Sequence, residues 1–253
     1  MQRRIFLFLA ILLLAGCGNR YRQERTEATL TGPRETIVEF LGHSCFRISS
    51  SLGLAVLLDP FNPGVLNYPV KVGSVPADVV FITHEDETVN YADLASGSPQ
   101  IFRSSMAAGV NRASGLLVRG VQTSSESLSA TSKLNVAYVW SMDGIRFCDL
   151  GAIEDTISPT EAINIGAVDV LFLPVGGPQN FTDEKRRLTI DRLRPRIIIP
   201  MMYATSHSGK VPLRGLGDWL SRQRNVVRFN SNRIPLVKAS LPTTTTIYVP
   251  SSR

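Results

Sequence analysis

Asp78-Val79-Val80-Phe81-Ile82-Thr83-His84 decides how the rest of the chain is read. An aspartate opens four β-branched or aromatic residues, and the run stops at Thr-His, the profile of a short strand with polar side chains at its end. Asp169-Val170-Leu171-Phe172 starts in the same way. Further β-type runs are Thr36 to Phe40, Cys45 to Ile48, Leu54 to Leu58, Leu134 to Trp140, Ile145 to Cys148, Val168 to Leu173, Ile197 to Ile199 and Thr245 to Val249. Asp143-Gly144 supplies the positive backbone angles of a tight turn, so Leu134 to Trp140 and Ile145 to Cys148 are expected to pair as a hairpin. Thr182 followed by Asp183 and Glu184 reads as an N-cap with an acidic first turn, opening a helix that ends before Pro195. A second short helix is expected around Leu216 to Arg222. Apolar strands interrupted by occasional helices favour an α/β layered domain.

The 253 residues suffice for one large domain or two small ones, and 43% hydrophobic with 19% charged residues excludes a disordered or collagen-like chain. Met1-Gln2-Arg3-Arg4 precedes an uncharged, mostly apolar run from Ile5 to Gly16, too short to span a bilayer core that needs about 20 helical residues, so residues 1–16 read as a signal peptide. Leu14-Ala15-Gly16-Cys17 resembles the lipobox of bacterial lipoproteins. That resemblance implies cleavage before Cys17, acylation of its sulfur and amine, and a membrane partner reached through the lipid. The expected location is the bacterial cell envelope. Gly18 stands where an aspartate would resemble an inner-membrane retention signal, which implies the periplasmic face of the outer membrane in a Gram-negative host. Residues 17–34 are polar and read as a tether, and residues 35–253 as the folded domain. Loss of Arg3 and Arg4 leaves 25 basic against 21 acidic residues, so no nucleic-acid partner is expected from charge.

Five segments carry a family resemblance. Gly42-His43-Ser44-Cys45-Phe46, Leu57-Leu58-Asp59-Pro60-Phe61, the Asp78 to His84 stretch, Val168 to Gly177 and Pro195 to Tyr203 appear in the order seen in the metallo-β-lactamase superfamily. They most resemble the branch holding ascorbate-phosphate lactonase and N-acyl phosphatidylethanolamine phospholipase D. The likeness runs from Glu35 to Ser208. It implies a four-layer αββα sandwich with a metal site at the sheet edges, where metal-bound hydroxide attacks an ester, lactone or phosphodiester.

The residues at the ligand positions depart from that pattern. Where the family continues Thr-His as His-x-His-x-Asp-His, this chain has His84-Glu85-Asp86-Glu87-Thr88-Val89. His84 stands, Asp86 retains an oxygen donor, and Val89 has none. Asp149-Leu150-Gly151-Ala152 matches His-Leu-Gly-Asp, with a methyl group at the metal-bridging carboxylate, and Met202 replaces the histidine of Pro-Met-His-Tyr. His84, Asp86 and Asp149 are therefore the candidate metal ligands, too few and too poor for an ordinary catalytic zinc.

His43, Asp59 and Tyr203 are candidate cleft residues by the same resemblance, and turn roles are expected for the first two: a hydrogen-bonded turn histidine and an aspartate that caps a strand end. Lys185, Arg186 and Arg187 read as the wet face of a helix, His207 as part of a mobile loop, and Cys45 and Cys148 as buried free thiols. No Gly-x-Ser-x-Gly elbow supports serine chemistry. The expected function is a membrane-anchored binding or scaffolding domain that has lost metal-dependent hydrolysis, holds a small or lipid-like ligand and needs no cofactor. The alternative is a weak mononuclear metallohydrolase using zinc or another divalent metal on an ester, lactone or phosphodiester.

Overall fold

The computed structural model describes residues 34–123 and 134–252. The signal segment 1–16, Cys17 and the tether up to residue 33 lie outside the described residues. In chain order the elements of the first half are β1 Glu35–Gly42, β2 Cys45–Ser49, β3 Ala55–Leu58, β4 Val75–Pro76, β5 Val79–Ile82, β6 Ala95–Ser96 and β7 Gln100–Arg103. Then come β8 Gly109–Ala113, β9 Leu116–Thr123, β10 Asn135–Met142, β11 Ile145–Asp149, α1 Pro159–Ile165, β12 Val170–Pro174, α2 Asp183–Leu193, β13 Ile197–Met201, α3 Leu216–Leu220, β14 Val226–Arg228, β15 Arg233–Val237 and β16 Thr246–Val249.

Two sheets form the frame. One runs β15-β1-β2-β3-β5-β7 and the other β14-β16-β13-β12-β11-β10-β9-β8, while β4 and β6 make a small separate pair. Strands β3, β5 and β7 are parallel, as are β11, β12, β13, β16 and β14. Every residue of β3, β5, β12 and β13 is buried, which is why these strands are continuous apolar runs with no alternation. The aspartates that open β5 and β12 have a structural task. Asp78 accepts the main-chain N–H of Ala55 at 2.8 Å and Asp169 that of Arg146 at 2.8 Å, so each fixes the register of a strand against its neighbour.

The sheets meet through aromatic rings. Phe46 of β2 packs on Phe172 of β12 with centroids 4.8 Å apart, and Phe81 of β5 stacks on Tyr138 of β10 at 4.6 Å. Each such pair adds about 0.5–1.5 kcal/mol beyond its buried area. The expected hairpin is β10–β11, turning at Asp143 (φ 49°) and Gly144 (φ 78°). Asp143 also accepts bonds from Thr36 Oγ1, Ser51 N and Ser51 Oγ, which tie this turn to the opposite sheet.

Helices α1, α2 and α3 bring Ile165, Leu193 and Trp219 to the main core, alongside the second sheet. The outer layer of the first sheet is instead loop, the small β4–β6 pair and the 3-10 turn Ala92–Leu94, from which Phe61, Leu66, Tyr68, Val75 and Leu94 cover Cys45, Leu57, Val80 and Ile82. The sandwich is thus four-layered, with helices concentrated on one side. Helix α1 begins at a capping box: Ser158 Oγ accepts from Glu161 N, and Glu161 Oε2 accepts from Ser158 N. Helix α2 starts at the expected cap, Thr182, and stops at Arg194 in left-handed conformation. Cys45 and Cys148 are buried and unbridged, and burial pushes both thiols up in pKa, which leaves them unreactive.

Candidate functional site

The parallel strands of both sheets send their C-terminal ends toward one edge, where the loops after β3, β5, β11, β12 and β13 gather. A cleft of about 300 Å³ opens there. Its wall includes His43, His84, Asp86, Asn135 and Met202, with Gly177, Pro178, Val211 and Leu213 supplying apolar surface.

Local backbone geometry aims these residues. A register shift between Phe40 and Gly42 bends β1 into the turn that carries His43. Gly42 sits at φ 133°, and a Cβ there would lie 2.4 Å from the Tyr68 ring, so only glycine fits. His43 (φ 57°), Asp59 (φ 41°) and Met202 (φ 53°) are all left-handed, each at a cost of about 1–3 kcal/mol that the surrounding structure must sustain.

His43 is 1% exposed, and neither ring nitrogen has a hydrogen-bond partner. Burial, reinforced by the nearby His84 and opposed by Asp86, pushes its pKa down to about 4, so the imidazole is neutral at physiological pH. A neutral imidazole offers one N–H and one lone pair. His84 Nδ1 lies 2.9 Å from Thr83 Oγ1, and Thr83 donates its main-chain N–H and its hydroxyl to Asp59 at 2.8 Å each. Asp59 therefore acts on the cleft indirectly, by holding the strand end that presents His84. Asp86 spends Oδ1 on Thr88 N (3.0 Å) and Thr88 Oγ1 (2.8 Å), folding its own loop.

Three expected site residues are off the wall. Asp59 and Asp149 are fully buried, and burial together with mutual repulsion holds Asp59 well above the usual carboxylate range. Burial likewise raises Asp149, against one bond from Gly151 N, and its Oδ2 has no partner. Tyr203 belongs to the core, stacked on Phe40 at 6.0 Å, with its hydroxyl pushed up by burial. His207 is held by a 3.0 Å contact from Nδ1 to the Asn67 carbonyl and packs on the Tyr68 ring, where a mobile loop was expected. Arg186, expected on a wet helix face, is 0% exposed.

Asn135 is a wall residue that the sequence did not single out. Its side chain donates to Thr123 Oγ1 and the Leu150 carbonyl and accepts from Ala152 N, so it holds the loop after β11 in place. A polar residue opening an apolar run, Asn135-Val136-Ala137, was the available signal.

The donors present do not fit the cations that the resemblance implies. A catalytic zinc takes about three nitrogen, sulfur or oxygen ligands around one point. Among the described residues no group of three or more His, Cys, Asp or Glu side chains is placed to hold a metal ion. Val89 is buried with no donor, and Asp149 is shut away from the wall.

Residues 37–202 match the model of the family described as Beta-lactamase superfamily domain. The chain is 27% identical over 198 residues to a UPF0173 metal-dependent hydrolase of Thermococcus onnurineus, which covers 66% of this chain and 84% of the relative. A UPF0173 metal-dependent hydrolase of Deinococcus radiodurans is 29% identical over 195 residues with the same coverage, 66% and 84%. A crystal structure from Thermotoga maritima, described as that of a zinc-dependent hydrolase of the metallo-β-lactamase superfamily, superposes with a TM-score of 0.68 at 26% identity, over 85% of this chain and 98% of that one. Homologues of this chain thus carry the names of metal-dependent hydrolases, while its own donors depart from a metal centre. By the family match across residues 37–202, the chain belongs to the β-lactamase superfamily.

Proposed function

We propose that the cleft binds a small ligand with an apolar body and a hydroxyl, carbonyl or ester group, and that the chain works as a lipid-anchored envelope protein without an assembled dinuclear centre. His43 carries this reading. A buried, neutral imidazole with both nitrogens unpartnered, set beside Met202, Pro178 and Leu213, favours a ligand that supplies one acceptor or donor and fills apolar space. The anchor is supported by the Leu14-Ala15-Gly16-Cys17 sequence alone. The test is ligand capture: native mass spectrometry of the chain purified from membranes should show a bound small molecule that is absent from His43→Phe. Equal capture by that variant would sink the reading. Cys17→Ser should release the chain from the membrane fraction.

A second reading is favoured by the names of the relatives. Hydrolysis of an ester, lactone or phosphodiester with one divalent cation would draw on His84 and Asp86, the imidazole and the carboxylate that the wall keeps at family ligand positions. Metal-dependent turnover of a generic ester or phosphodiester that disappears in His84→Ala would establish it.

A further inference from the structure

A second cavity, of about 320 Å³, lies behind the loop that walls the cleft: Leu213 lines the cleft, and the next residue, Arg214, lines this one. Val175, Asp183, Asp218, Trp219 and Arg222 also contribute to its lining. Arg214 is pinned at its backbone. Its N–H donates to the Gly176 carbonyl at 2.9 Å, and its carbonyl accepts from Ala204 N at 2.9 Å. Its Nε and Nη2 are nonetheless buried without a partner.

Arg186 is tied to the same cavity through Asp183. The side chain is fully buried, with Nε donating to the Pro174 carbonyl at 2.8 Å and Nη1 to Asp183 Oδ1 at 2.8 Å, and the guanidinium lies 5.2 Å from the centre of the Phe181 ring. Its Nη2 has no partner. The other oxygen of Asp183 takes Arg222 Nη1 at 2.5 Å. Both carboxylate oxygens of Asp183 are therefore engaged by Arg186 and Arg222, and Arg214 is left over. Burial, with Arg214 as a like charge, lowers the Arg186 pKa to about 10 against the pull of Asp183, which places the two guanidiniums within each other's field. A buried guanidinium with unmade hydrogen bonds carries an uncompensated desolvation penalty. Three guanidiniums around the carboxylates of Asp183 and Asp218 also leave a surplus of positive charge.

We propose that this cavity is a phosphate-binding site, taking inorganic phosphate or the phosphate of a phosphomonoester, with Arg214 as the principal donor and the more exposed Arg222 at the rim. Tetrahedral phosphate offers several acceptors to forked N–H donors and carries enough charge to meet the surplus. The site does not rest on the reading of the cleft.

Isothermal titration tests it on the full chain in detergent at low ionic strength, with inorganic phosphate and glycerol 3-phosphate as separate probes and potassium chloride as the ionic control. Saturable binding of either probe is expected. Whichever binds more tightly identifies the free anion or the monoester as the source. Arg214→Gln should weaken it by at least about tenfold, and Arg222→Gln by a few-fold. Arg222 is exposed, so Arg222→Gln remains informative if Arg214→Gln does not fold. Absence of saturable binding by both probes, or affinities unchanged in the folded variants, would overturn the proposal.

Discussion

The main-chain N–H of Met202 donates to the carbonyl of His43 across 3.0 Å, and both residues are left-handed, at φ 53° and 57°. A turn of the first sheet and the end of β13 in the second are thereby stapled at the cleft. Neither residue is glycine, so the backbone strain is concentrated where the two sheets present side chains to a ligand. His43→Val, a β-branched residue in a left-handed position, is expected to destabilise the fold by about 1–3 kcal/mol more than His43→Asn, which tolerates that conformation. Urea unfolding of the two variants decides this, and equal midpoints would remove strain from the account.

Asp149 gives a pH-dependent prediction. Burial holds its carboxyl up at about 7, against the 3.8 of an ordinary aspartate. The folded chain therefore keeps a proton that the unfolded chain has released, and the stability tied to that proton is lost as pH rises from about 4 to about 7. Asp149→Asn keeps an oxygen for Gly151 N and does not ionise. It is expected to match the parent near pH 4 and to exceed it at pH 8 by on the order of 2–4 kcal/mol. Thermal melts at the two pH values check the sign, and a variant less stable at pH 8 would contradict it.

Gly176 marks a close approach of backbone to backbone between the loops around the cleft. A Cβ there would lie 2.5 Å from the carbonyl oxygens of Arg214 and Met202 and 2.6 Å from Tyr203 Cα, all of them backbone atoms. Gly176→Ala is expected to lower stability by about 2–3 kcal/mol, or roughly 4–12 °C in Tm for a domain of this size. An unshifted melt would mean that the loops yield freely.

The family donors can be restored. Asp86→His, Thr88→Asp, Val89→His, Ala152→Asp and Met202→His together rebuild the donor pattern that the family resemblance implies. That variant is expected to retain about one zinc or more per chain after desalting. A folded variant that stays metal-free would show that the loops, as well as the donors, have diverged.

The layered fold was legible because the inner strands are buried on both faces, and Val79–Ile82 and Val170–Pro174 have no polar residue to confuse the reading. The edge-side strands Gln100–Arg103, Gly109–Ala113 and Leu116–Thr123 escaped it. They mix Gln100, Arg103, Asn111, Arg112 and Arg119 among apolar residues, and their pairing is decided by neighbours distant in sequence. Helix α1 had a signal in Ser158-Pro159-Thr160-Glu161 that went unread. Arg186 could not be separated from Lys185 and Arg187 by composition, since its burial depends on Phe181 and the Pro174 carbonyl. At the site, His43, His84 and Asp86 reached the cleft wall, whereas Asp59, Asp149 and Tyr203 lie off it, because adjacency to a motif does not fix which way a side chain points.

Metal content separates a cleft without a metal centre from a metal-binding one. The chain, purified and exposed to zinc, manganese and iron, is desalted and measured by elemental mass spectrometry beside the restored-donor variant. The donor set predicts a ratio near zero for the natural chain. A ratio near one that is lost in His84→Ala would contradict it and show a metal site in the cleft, on which the hydrolase reading then rests.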